Sequence, residues 1–178
     1  VVSFGLTIIG TAMLIFTTVG VGTPYWTLAV IFFLIGVGMG LTMAPSTTMV
    51  MDSIPHDKAG VGSATNDASR EVGGAFGIAI VGSAVNEIYQ SEMVVPAGLE
   101  GQSALVSSSF PAAIRIGNDL LAQGNSIGVE LIENAQHAFV EGMTGAAAIS
   151  ALVAFVNSIL VKLYMPRGVS PEPEDAGA

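Results

Sequence analysis

The chain contains no cysteine and little charge: only 11% of its 178 residues are Asp, Glu, Lys or Arg. A soluble domain carries about a quarter, so an ordinary water-soluble core is disfavoured. Without cysteine, disulfides, zinc–thiolate sites and thiol catalysis are excluded. Basic residues are scarcer still. Five Lys and Arg against fourteen Asp and Glu give a net charge of −9, with no basic patch to neutralise phosphates, so nucleic acid is not expected as a partner. The two histidines, His56 and His137, lie far apart and make no metal site. There is no nucleophile elbow, P-loop, HExxH or paired histidine, and no His or Lys is placed to activate the abundant Ser and Thr. The chain therefore does not read as an enzyme, and no cofactor or metal is expected.

What the chain has is apolar sequence: 51% hydrophobic residues and a mean hydropathy of +0.69. The first charged residue is Asp52. An uncharged, mostly apolar stretch of that length is too long for a buried core helix and fits a bilayer. The opening residues are already apolar, with no Met, no basic n-region and no small-residue cleavage site, so they do not read as a signal peptide. The expectation is a fragment, the tail of something longer.

The expected fold class is an all-α membrane protein with four transmembrane helices, a membrane region over 1–165 and a disordered acidic tail over 166–178. The first span, about 1–21, is broken by Gly20-Val-Gly-Thr-Pro24. Tyr25 and Trp26 follow, as interfacial rings do. The second span is about 26–50. The third is a long helix, about 59–88, whose first turns are polar. The fourth, 142–163, is closed by Lys162, Tyr164 and Arg167. Lys58, Arg70, Lys162 and Arg167 fall on one side of this layout and only Arg115 on the other. By the positive-inside tendency, the 51–70 turn and the tail are cytoplasmic and the protein is a multi-pass plasma (inner) membrane protein.

The outer loop, 89–141, begins irregularly and then shows two weak amphipathic patterns. One follows Pro111 at a helix start, and the other places Ile127, Leu131, Ala135 and Ala138 at helical spacing. Seven acids of the outer segment, Glu87 to Glu141, face a single Arg115, which favours cations.

"GVGMGLTMAP" is not a dinucleotide loop, because no strand precedes it and it lies in an apolar run. Gly36 and Gly40 share a helix face and let a neighbouring backbone approach. Pro45 breaks the helix hydrogen bond to Leu41 and bends it, and Ser46, Thr47 and Thr48 are placed to satisfy the freed groups. Close packing is the main reading, and substrate lining by the kink the minor one. In "REVGGAFGIAIVGS", Gly73 and Gly77 share a face, which suits either static packing or a hinge. Asp67, Arg70 and Glu71 stand three and four residues apart. They read as an ion pair anchoring a helix end, with a proton relay the alternative. Glu87 reads as a solvated helix end, Asn157 as an interhelical hydrogen-bonder, and Met13, Met39, Met43, Met49 and Met51 as adaptable apolar filling.

The stretch from Gly36 to Ser83 resembles the late helices of the fourteen-span drug:proton antiporters of the major facilitator superfamily. The pattern is carried by Gly36, Gly38, Gly40 and Pro45, by Ile54-Pro55 and Gly60, and by Ser63, Asn66, Arg70, Gly73, Gly74, Ala75, Gly77 and Ala79. Ile54 stands where the family usually has Val, and Asp67 adds an acid where it often has an amide. The resemblance implies that the four spans are the last four of a major-facilitator-type bundle. It further implies alternating access and substrate:proton antiport, driven by a proton gradient without a cofactor. Asn66, Asp67, Arg70, Glu71 and Pro45 are then the substrate or gating candidates, and Gly36, Gly40, Gly73 and Gly77 the packing positions. The partners it implies are the lipid bilayer, the missing N-terminal helices and a small lipophilic, cationic substrate. Two alternatives stand beside it: a stand-alone four-span structural or assembly protein, and a superfamily importer of metabolites.

Overall fold

A computed structural model describes residues 1–55 and 58–164. The described residues form helices and turns with no strand: α1 (Val2–Phe16), α2 (Tyr25–Asp52), α3 (Ala59–Glu92), a 3-10 turn (Glu100–Gln102), α4 (Ser103–Ser108), α5 (Phe110–Ala122) and α6 (Ile127–Tyr164). The acidic tail and His56 lie outside the described residues. Three helices, α2, α3 and α6, are long and apolar enough to cross a membrane. Helix is the natural solution for such runs, because it satisfies every interior backbone N–H and C=O within the segment.

Helix limits differ from the expected segments for local reasons. α1 ends at Phe16 rather than near residue 21. Thr17 and Thr18 turn their hydroxyls back onto the carbonyls of Leu14 and Ile15, and the Gly20 N–H donates to Thr23 Oγ1 at 2.7 Å. Side chains of this kind compete with helix propagation, and Pro24 then sets extended backbone before α2.

The segment 89–141 is mostly helical rather than a loop. α3 continues to Glu92, and the pattern through Ile127, Leu131, Ala135 and Ala138 belongs to α6, one 38-residue helix that runs on through residue 142. Nothing between 139 and 142 stops it, since a single Gly costs only about 1 kcal/mol. α5 starts as the sequence suggests, with Ser109 as cap and Pro111 in the first turn. It ends on Gly124, whose φ of +75° lets the Gly124 and Asn125 N–H groups reach the Leu121 and Leu120 carbonyls.

α1 packs between α2 and α6, and α3 packs on α6. Small residues set each approach. Gly5 faces the Gly38 carbonyl, Gly10 faces the Phe155 ring, and Gly142 and Gly145 face Val85 and Ile88. One apolar cluster joins Ala12, Phe16, Ile31 and Ala147 across α1, α2 and α6. A second builds a folded cap from the segment between α3 and the first turns of α6. Tyr89, Met93, Leu99, Val106, Ala113, Leu131, Ala135 and Ala138 are buried there. Phe110 stacks on Phe139 at 4.4 Å and meets Tyr89 edge-on at 6.2 Å. The buried Tyr89 hydroxyl donates to the Val106 carbonyl at 2.8 Å, so the polar tip of the ring is satisfied inside the cap.

Candidate functional site

α2 and α3 meet near the turn that joins them and little beyond it. Ile54 lies against Gly62, where an added methyl group would push the Ile54 side chain aside. Two turns further along α3, Arg70 Nη2 donates to Thr47 Oγ1 of α2 at 3.2 Å. The sequence placed Arg70 with Asp67 and Glu71. The structure directs its guanidinium across to α2 instead, and no hydrogen bond joins it to either acid. Spacing along one helix cannot reveal this, because the acceptor stands 23 residues away on another helix.

Thr47 also donates, to the Met43 carbonyl at 3.1 Å. One hydroxyl can do both, since it has one proton and two lone pairs. The other hydroxyls of this turn behave likewise: Thr42 donates to Gly38, Ser46 to Thr42, and Thr48 to Ala44. The carbonyl freed by Pro45 is that of Leu41, and none of Ser46, Thr47 or Thr48 reaches it. They reinforce the turns on either side of it. Pro45 is half-buried inside α2.

Of the other sequence candidates, Asn66 is half-buried, and Asp67, Arg70, Glu71 and Glu87 are exposed. A methyl group on Gly36, Gly40, Gly73 or Gly77 would meet no described atom within 4 Å. The glycine of α2 that takes part in packing is Gly38, buried against Gly5 and Ile9 of α1. Gly38 lies two residues from Gly36 and Gly40, about 200° around the helix. The face that α1 occupies is therefore opposite to the one the glycine spacing picked out. On α3, a shallow open groove runs along Gly60, Val61, Ala64, Thr65, Ala68, Ser69 and Val72. It lies roughly opposite Arg70 on the same helix.

A polar cluster that the sequence reading missed ties α1 to α6. Ser3 Oγ donates to the Ser158 carbonyl at 3.0 Å, Ser158 Oγ donates to the Ser3 carbonyl at 2.9 Å, and Thr7 Oγ1 lies 2.9 Å from Ser158 Oγ. Asn157, the expected interhelical hydrogen-bonder, is exposed and donates to Val153 of its own helix. The interhelical role falls to its neighbour. The available signal was Ser3 and Thr7, one turn apart in an apolar run. Among the described residues, no three His, Asp or Glu side chains gather as a metal would require.

Comparisons with known proteins agree in direction. The chain is 28% identical over 137 residues to the multidrug efflux pump LfrA of Mycolicibacterium smegmatis, covering 76% of this chain and 27% of that protein. It is 32% identical over 120 residues to the methyl viologen resistance protein SmvA of Salmonella typhimurium, covering 66% and 23%. A tetracycline resistance determinant of Streptomyces rimosus is 32% identical over 77 residues, covering 43% and 22%. The chain thus spans about a quarter of the length of these relatives. No solved structure matches. The family model described as Major Facilitator Superfamily matches residues 1–99, more than half of the chain. The chain belongs to the major facilitator superfamily, a family of membrane transporters and not of enzymes.

Proposed function

We propose that this chain is the C-terminal part of a proton-coupled multidrug efflux transporter that works by alternating access. Its four crossings, about 1–21, 26–50, 59–88 and 142–163, are then the last four of fourteen, with 166–178 as an acidic cytoplasmic tail. α1 counts as a crossing in this reading although its fifteen helical residues rise only about 22 Å. The observation that carries the reading is the alignment with proteins named for multidrug efflux and for methyl viologen resistance, over two thirds or more of the chain. A second observation supports it. α3 keeps Gly73, Gly74 and Gly77 in open space. An apolar helix with bare backbone is suited to close approach by further helices of the same protein.

In this reading Asn66, Asp67, Arg70, Glu71 and Pro45 lie at the cytoplasmic end of the substrate path, and Gly36, Gly40, Gly73 and Gly77 pack against helices upstream of this segment. The substrate is a small lipophilic cation, a class that the acidic outer segment attracts. The C-terminus is cytoplasmic.

The test uses the full-length natural protein in vesicles. Imposing a proton gradient is expected to drive a lipophilic cationic dye in the efflux direction. R70A is expected to impair this more than E87Q, because Arg70 ties two helices together and Glu87 is exposed. Dye movement in the import direction would favour a metabolite-type importer. A start codon just ahead of Val1 would favour the stand-alone structural protein.

A further inference from the structure

Every described tie between α2 and α3 is at one end. The Ile54–Gly62 contact sits at the turn, and the Arg70–Thr47 hydrogen bond lies just above it. Farther along, Gly36 and Gly40 of α2 and Gly73 and Gly77 of α3 meet nothing within 4 Å. α3 is instead held at its far end by α6, where Gly142 and Gly145 admit Val85 and Ile88, and by the cap around Tyr89. A helix anchored at one end and tied by one polar contact near the other has one place where its angle to α2 is decided.

We propose that Thr47 is the positioning residue of that tie. Its hydroxyl passes a hydrogen-bond chain from the Arg70 guanidinium to the Met43 carbonyl, and so latches α3 to the turn of α2 that contains Pro45. The direction of the chain is fixed by chemistry. Arginine only donates, so Thr47 must accept from it, and the single Thr47 proton is then free for Met43 Oin the same helix, where it lies 3.1 Å away. This acceptor role places the hydroxyl on the side of the helix that faces α3 and leaves little rotational freedom at χ1. Pro45 matters because it removes the backbone bond to Leu41, so that this part of α2 rests more on side-chain hydroxyls than an ordinary helix does. Asp67 and Glu71 stand near Arg70 in sequence without bonding to it, and Lys58 is the other described charge on this end of α3. Thr47 belongs to none of the packing or charge patterns that the sequence displays.

This inference rests on the transporter reading for its consequence, but not for its geometry. The experiment uses the full-length protein in liposomes, with spin labels on cysteines placed at Met39 and Phe76, both exposed. T47V keeps the shape and removes the hydroxyl, while T47S keeps the hydroxyl. T47V is expected to broaden the label distance distribution toward longer values and to slow proton-driven efflux about tenfold, the effect of losing one charge-assisted hydrogen bond. T47S is expected to resemble wild type in both. R70Q is expected to match T47V, and the double variant to be no worse than either, because both remove the same bond. Unchanged distances in T47V, additive losses in the double variant, or T47S as damaging as T47V would each overturn the latch. So would a T47V protein that fails to assemble while R70Q keeps the wild-type distances. If wild type shows no proton-driven efflux but the distances shift as stated, the transporter reading falls and the latch stands.

Discussion

Ser3 and Ser158, 155 positions apart in sequence, exchange hydroxyl-to-carbonyl hydrogen bonds at 3.0 and 2.9 Å. Ser158 is buried, and Thr7 completes the cluster. In an apolar setting a hydroxyl without a partner is costly, so the two helices hold each other through this polar cluster.

S158A is therefore expected to loosen α1 from α6. The loss is about 1 kcal/mol, the usual worth of an interhelical hydrogen bond in a membrane protein. Thermal unfolding of the purified full-length protein in detergent measures it. A further S3A change should add a loss of similar size, because the Ser3 hydroxyl donates to the Ser158 backbone carbonyl, which S158A leaves in place. A double variant no worse than S158A would show that the Ser3 hydroxyl contributes nothing once Ser158 is changed.

The glycines divide into two groups that substitution separates. At Gly142 a Cβ would lie 2.7 Å from the Val85 carbonyl oxygen, a backbone atom that cannot swing aside. G142V is expected to force α3 away from α6 and to destabilise by about 1–3 kcal/mol, as overpacking does. At Gly77 there is open space, so G77A by itself should add about 1 kcal/mol of helix propensity. Loss of transport in full-length G77A, with Gly142 intact, would then report a helix from elsewhere in the protein closing on that face. Retained transport would argue against such a contact.

Sidedness is checked by labelling. A cysteine replacing Ser103, on α4 of the cap, should react with an impermeant thiol reagent added outside intact cells. One replacing Ser170, beyond the described residues, should react only after the cells are opened. The reverse pattern would invert the orientation.

The cap carries one carboxylate with a defined environment. Glu100 Oε1 accepts from the Gly98 N–H at 3.0 Å, and Gly98 adopts a φ of +96°, which a residue with a side chain rarely does. The Gly98 N–H, and then the Glu100 N–H, hold the exposed carboxyl below its ordinary range. The depressed folded value means that the turn gains from this contact above the ordinary carboxylate pKa and loses it as pH falls through the lower one. NMR titration of Glu100 should give a pKa below the ordinary carboxylate value, and E100Q should flatten the acid-side loss of order in the 96–102 turn. An ordinary titration would mean the contact does not form.

The C-terminal half of the chain separates local signals from long-range ones. Pro111 located the start of α5, because its fixed φ is a local property. Ile127, Leu131, Ala135 and Ala138 were recognisable as one helical face, and three of the four are buried. That this helix runs without interruption into the apolar stretch went unread because the composition changes near residue 142 from amphipathic to uniformly apolar, although no proline or other stop separates the two parts. Gly36 and Gly40 drew attention by spacing alone, while the packed residue is Gly38. Periodicity gives relative phase along a helix and cannot say where the neighbour stands.

Amino-acid order alone determined that these helices are apolar enough for a membrane and which superfamily they join. Hydropathy and short motifs are sums over neighbouring residues, and they need no knowledge of distant ones. The folded arrangement alone decided that Arg70 reaches Thr47 rather than Asp67, that Ser158 rather than Asn157 bridges to α1, and that the segment after α3 is a packed cap. Each of these depends on the rotation and distance of one helix relative to another. Contacts between residues far apart in the chain fix those quantities, and no local pattern encodes them.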